Sequence, residues 1–171
     1  KTGEQIKEVL MLFFMMHAAH LIAVILWIGG LFFVTGIMLP MVIKTPDALQ
    51  KVLTFQRVEH RFAPVAKWFN IVTGVTGFAM VYLMGWHNLY FTKAGVALTF
   101  MTGVWVFWFV MLVGLEPIVI RKMLEKMARE GDKMDIDGIF RKVKKLHWFM
   151  VAISLAAAVA GAIVAHGGFL H

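Results

Sequence analysis

The chain has 171 residues, of which 60% are hydrophobic, with a mean hydropathy of +0.78, a formal net charge of +7 and no cysteine. That apolar share is well above the usage of a soluble domain, so the composition describes an integral membrane protein. The missing cysteine excludes thiolate-bound metal, c-type haem attachment and disulfides. No Gly-rich phosphate loop, nucleophile–base–acid set or paired intramembrane carboxylate is present, which sets aside hydrolytic and nucleotide-driven chemistry.

The first apolar segment, residues 9–43, holds no Asp, Glu, Lys or Arg. It exceeds the roughly 20 residues a helix needs to cross hydrocarbon, so it spans and overhangs or bends near Pro40. It is also too long for the apolar core of a secretory signal. Residues 44–67 are polar and basic. Thr45-Pro46-Asp47 reads as a helix start with Thr45 as N-cap, and Leu49, Val52, Leu53 and Phe62 follow at helical spacing, which predicts a short amphipathic helix on the membrane surface leading into the second span. Residues 68–92 form the second apolar segment and residues 94–115 the third. The third helix is expected to continue past Pro117 to Arg129, with Gly131 as its stop and Asp135 or Asp137 opening the next helix. The fourth apolar segment covers residues 148–165.

The expectation is an all-α fold. One membrane domain, residues 1–171, forms a transmembrane four-helix bundle with helices at about 9–40, 64–88, 94–130 (its membrane part ending near 116) and 137–166. Gly74 and Gly77 in helix 2, and Ser154, Ala157, Ala158, Gly161 and Ala165 in helix 4, supply the small residues that close helix packing in lipid needs. A flat macrocycle held between helices needs the same clearance.

The basic charge follows the connections. Five Lys/Arg lie in 44–67 and nine in 116–145, against two in the N-terminal tail and one in 86–93. The positive-inside rule then makes the two basic connections cytoplasmic and turns both termini outward, to the periplasmic side of a bacterial-type inner membrane. The charge reads as a topology signal and anionic-lipid contact, not as nucleic-acid binding.

Histidine carries the functional signal. Ionisable side chains in a membrane are functional candidates because an unpaired one is costly there. On this topology His17, His20, His87 and His166 form an outer group, and His60 and His147 an inner one; His171 is terminal. A bis-histidine haem takes one ligand from each of two helices, so His20 with His166, or His17 with His87, fits the outer side and His60 with His147 the inner. His147 and His166 lie roughly 28 Å apart along a straight helix, room for two stacked haems. His17 and His20, three residues apart on one helix, cannot take opposite faces of one iron. One of them then binds haem while the other meets a propionate, a quinone or a second haem, or both chelate copper or zinc with His87 or His166. Met11, Met15 and Met16 flank His17, and packing explains them better than Cu(I) does.

The run from His20 through Trp27, Gly29, Gly30 and Leu31 to Phe33 resembles the first helix of the copper-resistance-D (CopD) membrane family and of HemJ-type protoporphyrinogen oxidases. In both, a His is followed seven residues later by Trp and a Gly-containing Leu-Phe run. Arg61-Phe62-Ala63-Pro64 through Val72-Thr73-Gly74 is similar to the start of their second helix, and Lys93 falls where HemJ-type proteins carry a functional Lys. The resemblance covers residues 16–103. It implies haem b at His20 with Lys93 as partner or proton-handling group, or copper handling on the CopD side. Helix 3 lacks the histidine usual in HemJ-type proteins, and Lys145-Leu-His147-Trp148 stands where they carry an Asn-Glu pair. The additional His17, His147 and His166 point to a related protein with more ligands.

The expected function is a cytochrome b-like protein with one or two haems b, passing electrons to or from quinol or a redox partner on the outer face. A CopD-like copper carrier, a protoporphyrinogen oxidase, and an accessory subunit or homo-oligomeric component of a larger complex are the alternatives.

Overall fold

The computed structural model describes residues 3–115, 122, 125–126 and 135–166. Among these the chain is helical with no strand, and four long helices account for it: α1 (Gly3–Ile43), α2 (Ala48–Leu83), α3 (Val96–Gly114) and α4 (Ile136–Ala165).

α1 is 41 residues long, about 60 Å at 1.5 Å per residue, so it overhangs any bilayer. It passes Pro40 without breaking. A proline ring collides with the carbonyl four residues back and offers no N–H, and the chain absorbs this by widening into a π-helical turn at Val34–Met38 before resuming α-helix at Leu39–Ile43.

The second expectation needs correcting. Residues 48–67 form no separate surface helix, because α2 runs unbroken from Ala48 with Pro64 inside it, and its N-cap is Asp47, not Thr45. The Asp47 side chain accepts the Gln50 N–H at 2.6 Å, and a carboxylate so placed satisfies an orphan donor better than the Thr two residues earlier. α2 stops at Leu83 because Gly85 takes a left-handed conformation (φ +69°), the usual helix-ending device. A 3₁₀ turn, Trp86–Leu89, then leads to α3. α3 ends in a π-helical turn, Met111–Leu115. The expected extension to Arg129 and stop at Gly131 lie outside the described residues. α4 opens as expected, with Asp135 as N-cap accepting the Gly138 N–H at 2.7 Å.

α1, α3 and α4 are each long and apolar enough to cross a membrane. α2 differs because its first half is charged and the rest carries a polar stripe, Asn70, Thr73 and Thr76, that faces inward and is buried. Outward surfaces are apolar, as at Ile22 and Ile25 on α1, Val106 and Val110 on α3, and Leu155 and Val159 on α4, a surface compatible with lipid.

Successive helices are antiparallel. His20 meets Thr76 and Gly30 meets Phe62 along α1 and α2; Trp108 meets Ser154 and Met101 meets Gly161 along α3 and α4. At mid-height Trp27, Leu31, Ala66, Val104, Trp108 and Val151 form one core, with Trp27 edge-on to Trp108 at 5.4 Å. A second core, including Leu39, Val52, Phe55 and Phe140, fills the end rich in Lys and Arg, hereafter the basic end.

There the buried Lys51 donates to Asp137. Asp137 sits in the first turn of α4, ahead of the apolar run that opens at Trp148. The hydrogen bond from Lys51, then its charge, hold the Asp137 carboxyl below its ordinary 3.8. A lowered carboxyl pKa contributes stability that is present above the ordinary value and lost as pH falls through the folded one. Asp137→Asn is therefore expected to lower the thermal midpoint of the detergent-solubilised protein at neutral pH. The gap to wild type should close as pH drops below 3.8; a gap that persisted in acid would show that the pair is not its source.

Candidate functional site

The opposite end of the bundle is hollow. A cavity of about 360 Å³ lies between all four helices, within the size range of small-molecule and cofactor sites. Its walls are thin where the sequence is small: Gly74 and Gly77 on α2, and Ser154, Ala157, Ala158 and Gly161 on α4. Large side chains stand opposite, with Trp27 and Trp105 at the deep end. Trp105 is pinned by its indole N–H to the Asn70 carbonyl at 2.9 Å and lies against Gly74 so closely that no Cβ fits between them. Trp108 N–H donates to the Ser154 hydroxyl at 2.9 Å, and that hydroxyl donates to the Met150 carbonyl. These bonds make the floor rigid. The mouth is framed by Phe13, Trp86 and Tyr90; Phe13 and Trp86 meet edge to face at 6.2 Å, and the Tyr90 hydroxyl pairs with Thr102 at 3.0 Å.

Three histidines line this cavity: His17 and His20 from α1 and His166 from the end of α4. His20 is part-buried and bonded through Nδ1 to the Thr76 hydroxyl at 3.0 Å. His166 is the C-cap of α4, exposed at the mouth, and its Nδ1–H donates to the Ala162 carbonyl at 2.7 Å. His17 lies one turn outward of His20, with its ring 5.9 Å from that of Phe13. With Nδ1 engaged, His20 and His166 are each left with Nε2. A hydrogen-bond acceptor on one ring nitrogen and a lone pair on the other is the state of most metal-ligating histidines.

The remaining expected residues stand elsewhere. His87 is exposed in the turn after α2 and Lys93 is exposed before α3; neither lines the cavity. At the basic end His60 is exposed. The neighbour of His147 is Glu59, with Nε2 to Oε1 at 3.7 Å, while His147 Nδ1–H donates to the Val143 carbonyl at 3.0 Å. Phe55 packs edge-on against the same ring. Among the described residues no three His, Asp or Glu side chains are grouped to hold a metal ion.

No family model, curated protein or solved structure matches this chain. The site therefore rests on its own geometry.

The sequence reading missed Thr76, Glu59 and the tryptophan floor. Thr76 lies 56 residues from His20, and only the spacing of Asn70, Thr73 and Thr76, three apart on an otherwise apolar helix, hinted at an inward polar face. Thr73 also lines the cavity, and among the described residues its hydroxyl has no hydrogen-bond partner.

Proposed function

We propose that this chain is a multi-pass membrane haem protein of the cytochrome b kind, holding one haem b in the cavity between His20 and His166 and carrying electrons. One observation carries the reading: two imidazoles from different helices line one cavity to which α2 and α4 contribute small residues, each imidazole with its Nδ1 bonded inside its own framework. A six-coordinate haem b takes two such ligands and needs flat clearance, whereas a chelated copper ion needs three or four donors around one point. Bound haem would supply a one-electron couple whose potential is set by its axial ligands, burial and neighbouring hydrogen bonds.

The chain's own residues do the rest. His20 and His166 present Nε2, Trp27 and Trp105 close the inner side against water, and the half-buried His17 at the mouth stands where a propionate, a quinol or a partner's redox group would arrive. One haem is favoured over two because at the basic end both nitrogens of His147 are occupied or faced, by the Val143 carbonyl and by Glu59. By the positive-inside rule the basic end is cytoplasmic and the mouth opens outward, with α2 as the fourth span. The likeness of residues 16–103 to the CopD and HemJ-type families agrees in one respect, since the His20 on which it turns lines the cavity. Lys93, which the oxidase chemistry of the HemJ type would use, does not.

The deciding experiment is a reduced-minus-oxidised spectrum of the detergent-purified protein, with pyridine haemochrome and metal analysis on the same sample. Sharp b-type bands and about one iron per chain are expected on this single-site reading. Bound copper without haem bands would overturn it in favour of a CopD-like metal site.

A further inference from the structure

We infer that Thr76 is the positioning residue that fixes the tautomer and orientation of His20, and so tunes the metal site proposed above, on which this inference rests. The Thr76 hydroxyl has a single hydrogen, and it lies 2.6 Å from the Val72 carbonyl and 3.2 Å from that of Thr73. Carbonyls only accept, so the hydroxyl proton is committed to its own helix. The 3.0 Å contact with His20 Nδ1 can then be made in one direction only, with Nδ1–H donating to the Thr76 oxygen. Neutral imidazole carries one N–H, so Nε2 holds the lone pair. Thr76 makes His20 a ligand through Nε2 before anything binds.

Orientation follows from the next residue. Gly77 has no side chain, and a Cβ built there would lie 3.2 Å from His20 Cε1. The Nδ1–Cε1 edge of the ring thus faces the α2 backbone at Gly77, with Thr76 holding Nδ1. Serine would reproduce this bond. Valine, which has the same shape as threonine, would remove the hydroxyl acceptor, leave the His20 ring only the Thr73 backbone carbonyl on α2, and loosen its hold on one tautomer.

The acceptor is also electronic. A hydrogen bond accepted from Nδ1–H raises the basicity of the ligating nitrogen, which favours the oxidised metal. Its loss therefore shifts the midpoint potential upward, and a carboxylate in its place shifts it downward.

The test is a set of three variants, Thr76→Val, Thr76→Ser and Thr76→Asp, purified in detergent and titrated with haemin, with spectroelectrochemistry on each. Thr76→Val is expected to bind haem roughly 10- to 100-fold more weakly, as removing the hydrogen-bond partner of a ligating histidine typically does, and to show a higher midpoint potential. Thr76→Ser should restore both properties, and Thr76→Asp should lower the potential. If wild type binds haem and Thr76→Val matches it in affinity and potential, the positioning role is wrong while the haem site stands. If wild type binds no haem, the site itself is wrong.

Discussion

His20→Ala is expected to leave the purified protein with little or no haem, while its helical circular dichroism stays that of wild type. His20 is part-buried in the cavity wall and held from behind by Thr76, so its removal deletes both a ligand and the means of orienting one. The loss should be at least the roughly 10- to 100-fold in affinity that losing only a ligand's hydrogen-bond partner costs. His166→Ala should behave differently. His166 is exposed at the mouth, on the last turn of α4, and a haem anchored by His20 would remain with an open sixth position. That variant is expected to retain haem more weakly, to shift to a high-spin spectrum and to bind carbon monoxide or cyanide that wild type excludes. His60→Ala and His87→Ala, both changed at exposed positions off the cavity, should leave the spectrum unaltered. If instead His87→Ala abolished the bands and His20→Ala did not, the pairing at this end would have to be drawn again.

The fold was legible in the sequence where one signal dominated. Long apolar runs give long helices because a backbone in lipid must satisfy itself, and the Asp135 cap announced α4. The error at α2 has the opposite origin. Thr45-Pro46-Asp47 offered two acceptors within one turn, and the change from basic to apolar character near Lys67 looked like a boundary between elements. In the structure it is only a change of surroundings along one continuous helix. Hydropathy reports what surrounds a residue, whereas helix continuity depends on propensity and capping, and Pro64 alone was too weak to divide α2.

The site was half legible for a related reason. Depth along a helix can be counted at 1.5 Å per residue, so grouping His17, His20 and His166 at one end needed only the topology. Azimuth cannot be counted across helices. Which of Glu59 and His60 faces His147 depends on the rotation of α2 against α4, a difference of about 100° between adjacent residues, and the buried Phe55 decides it by packing against both Phe140 and His147. Thr76 was hidden for the same reason, since its role exists only once α1 lies antiparallel on α2.

Three glycines around the cavity predict three different outcomes, because what stands opposite each differs in its freedom to move. At Gly161 an added Cβ would meet the Met101 sulfur at 3.1 Å. Methionine has three rotatable bonds and adapts, so Gly161→Ala should be near neutral for both stability and haem content. At Gly74 the obstacle is the Trp105 ring, held by its N–H on Asn70 and bracketed by Phe78 edge-on at 5.4 Å and Phe109 stacked at 5.5 Å. That ring cannot yield, so α2 and α3 must separate. Gly74→Ala should destabilise the bundle by about 1–3 kcal/mol, the usual cost of overpacking a dense interior. At Gly77 the obstacle is His20 itself. Gly77→Ala should press the imidazole away from Thr76 and weaken haem binding, and Gly77→Leu should fill the space beside the ring and abolish binding while the helices remain intact. Thermal unfolding and haem titration of the three alanine variants separate these cases. A Gly77→Ala protein that bound haem as wild type does, with its Thr76-dependent potential unchanged, would mean that the macrocycle does not lie against this face of α2.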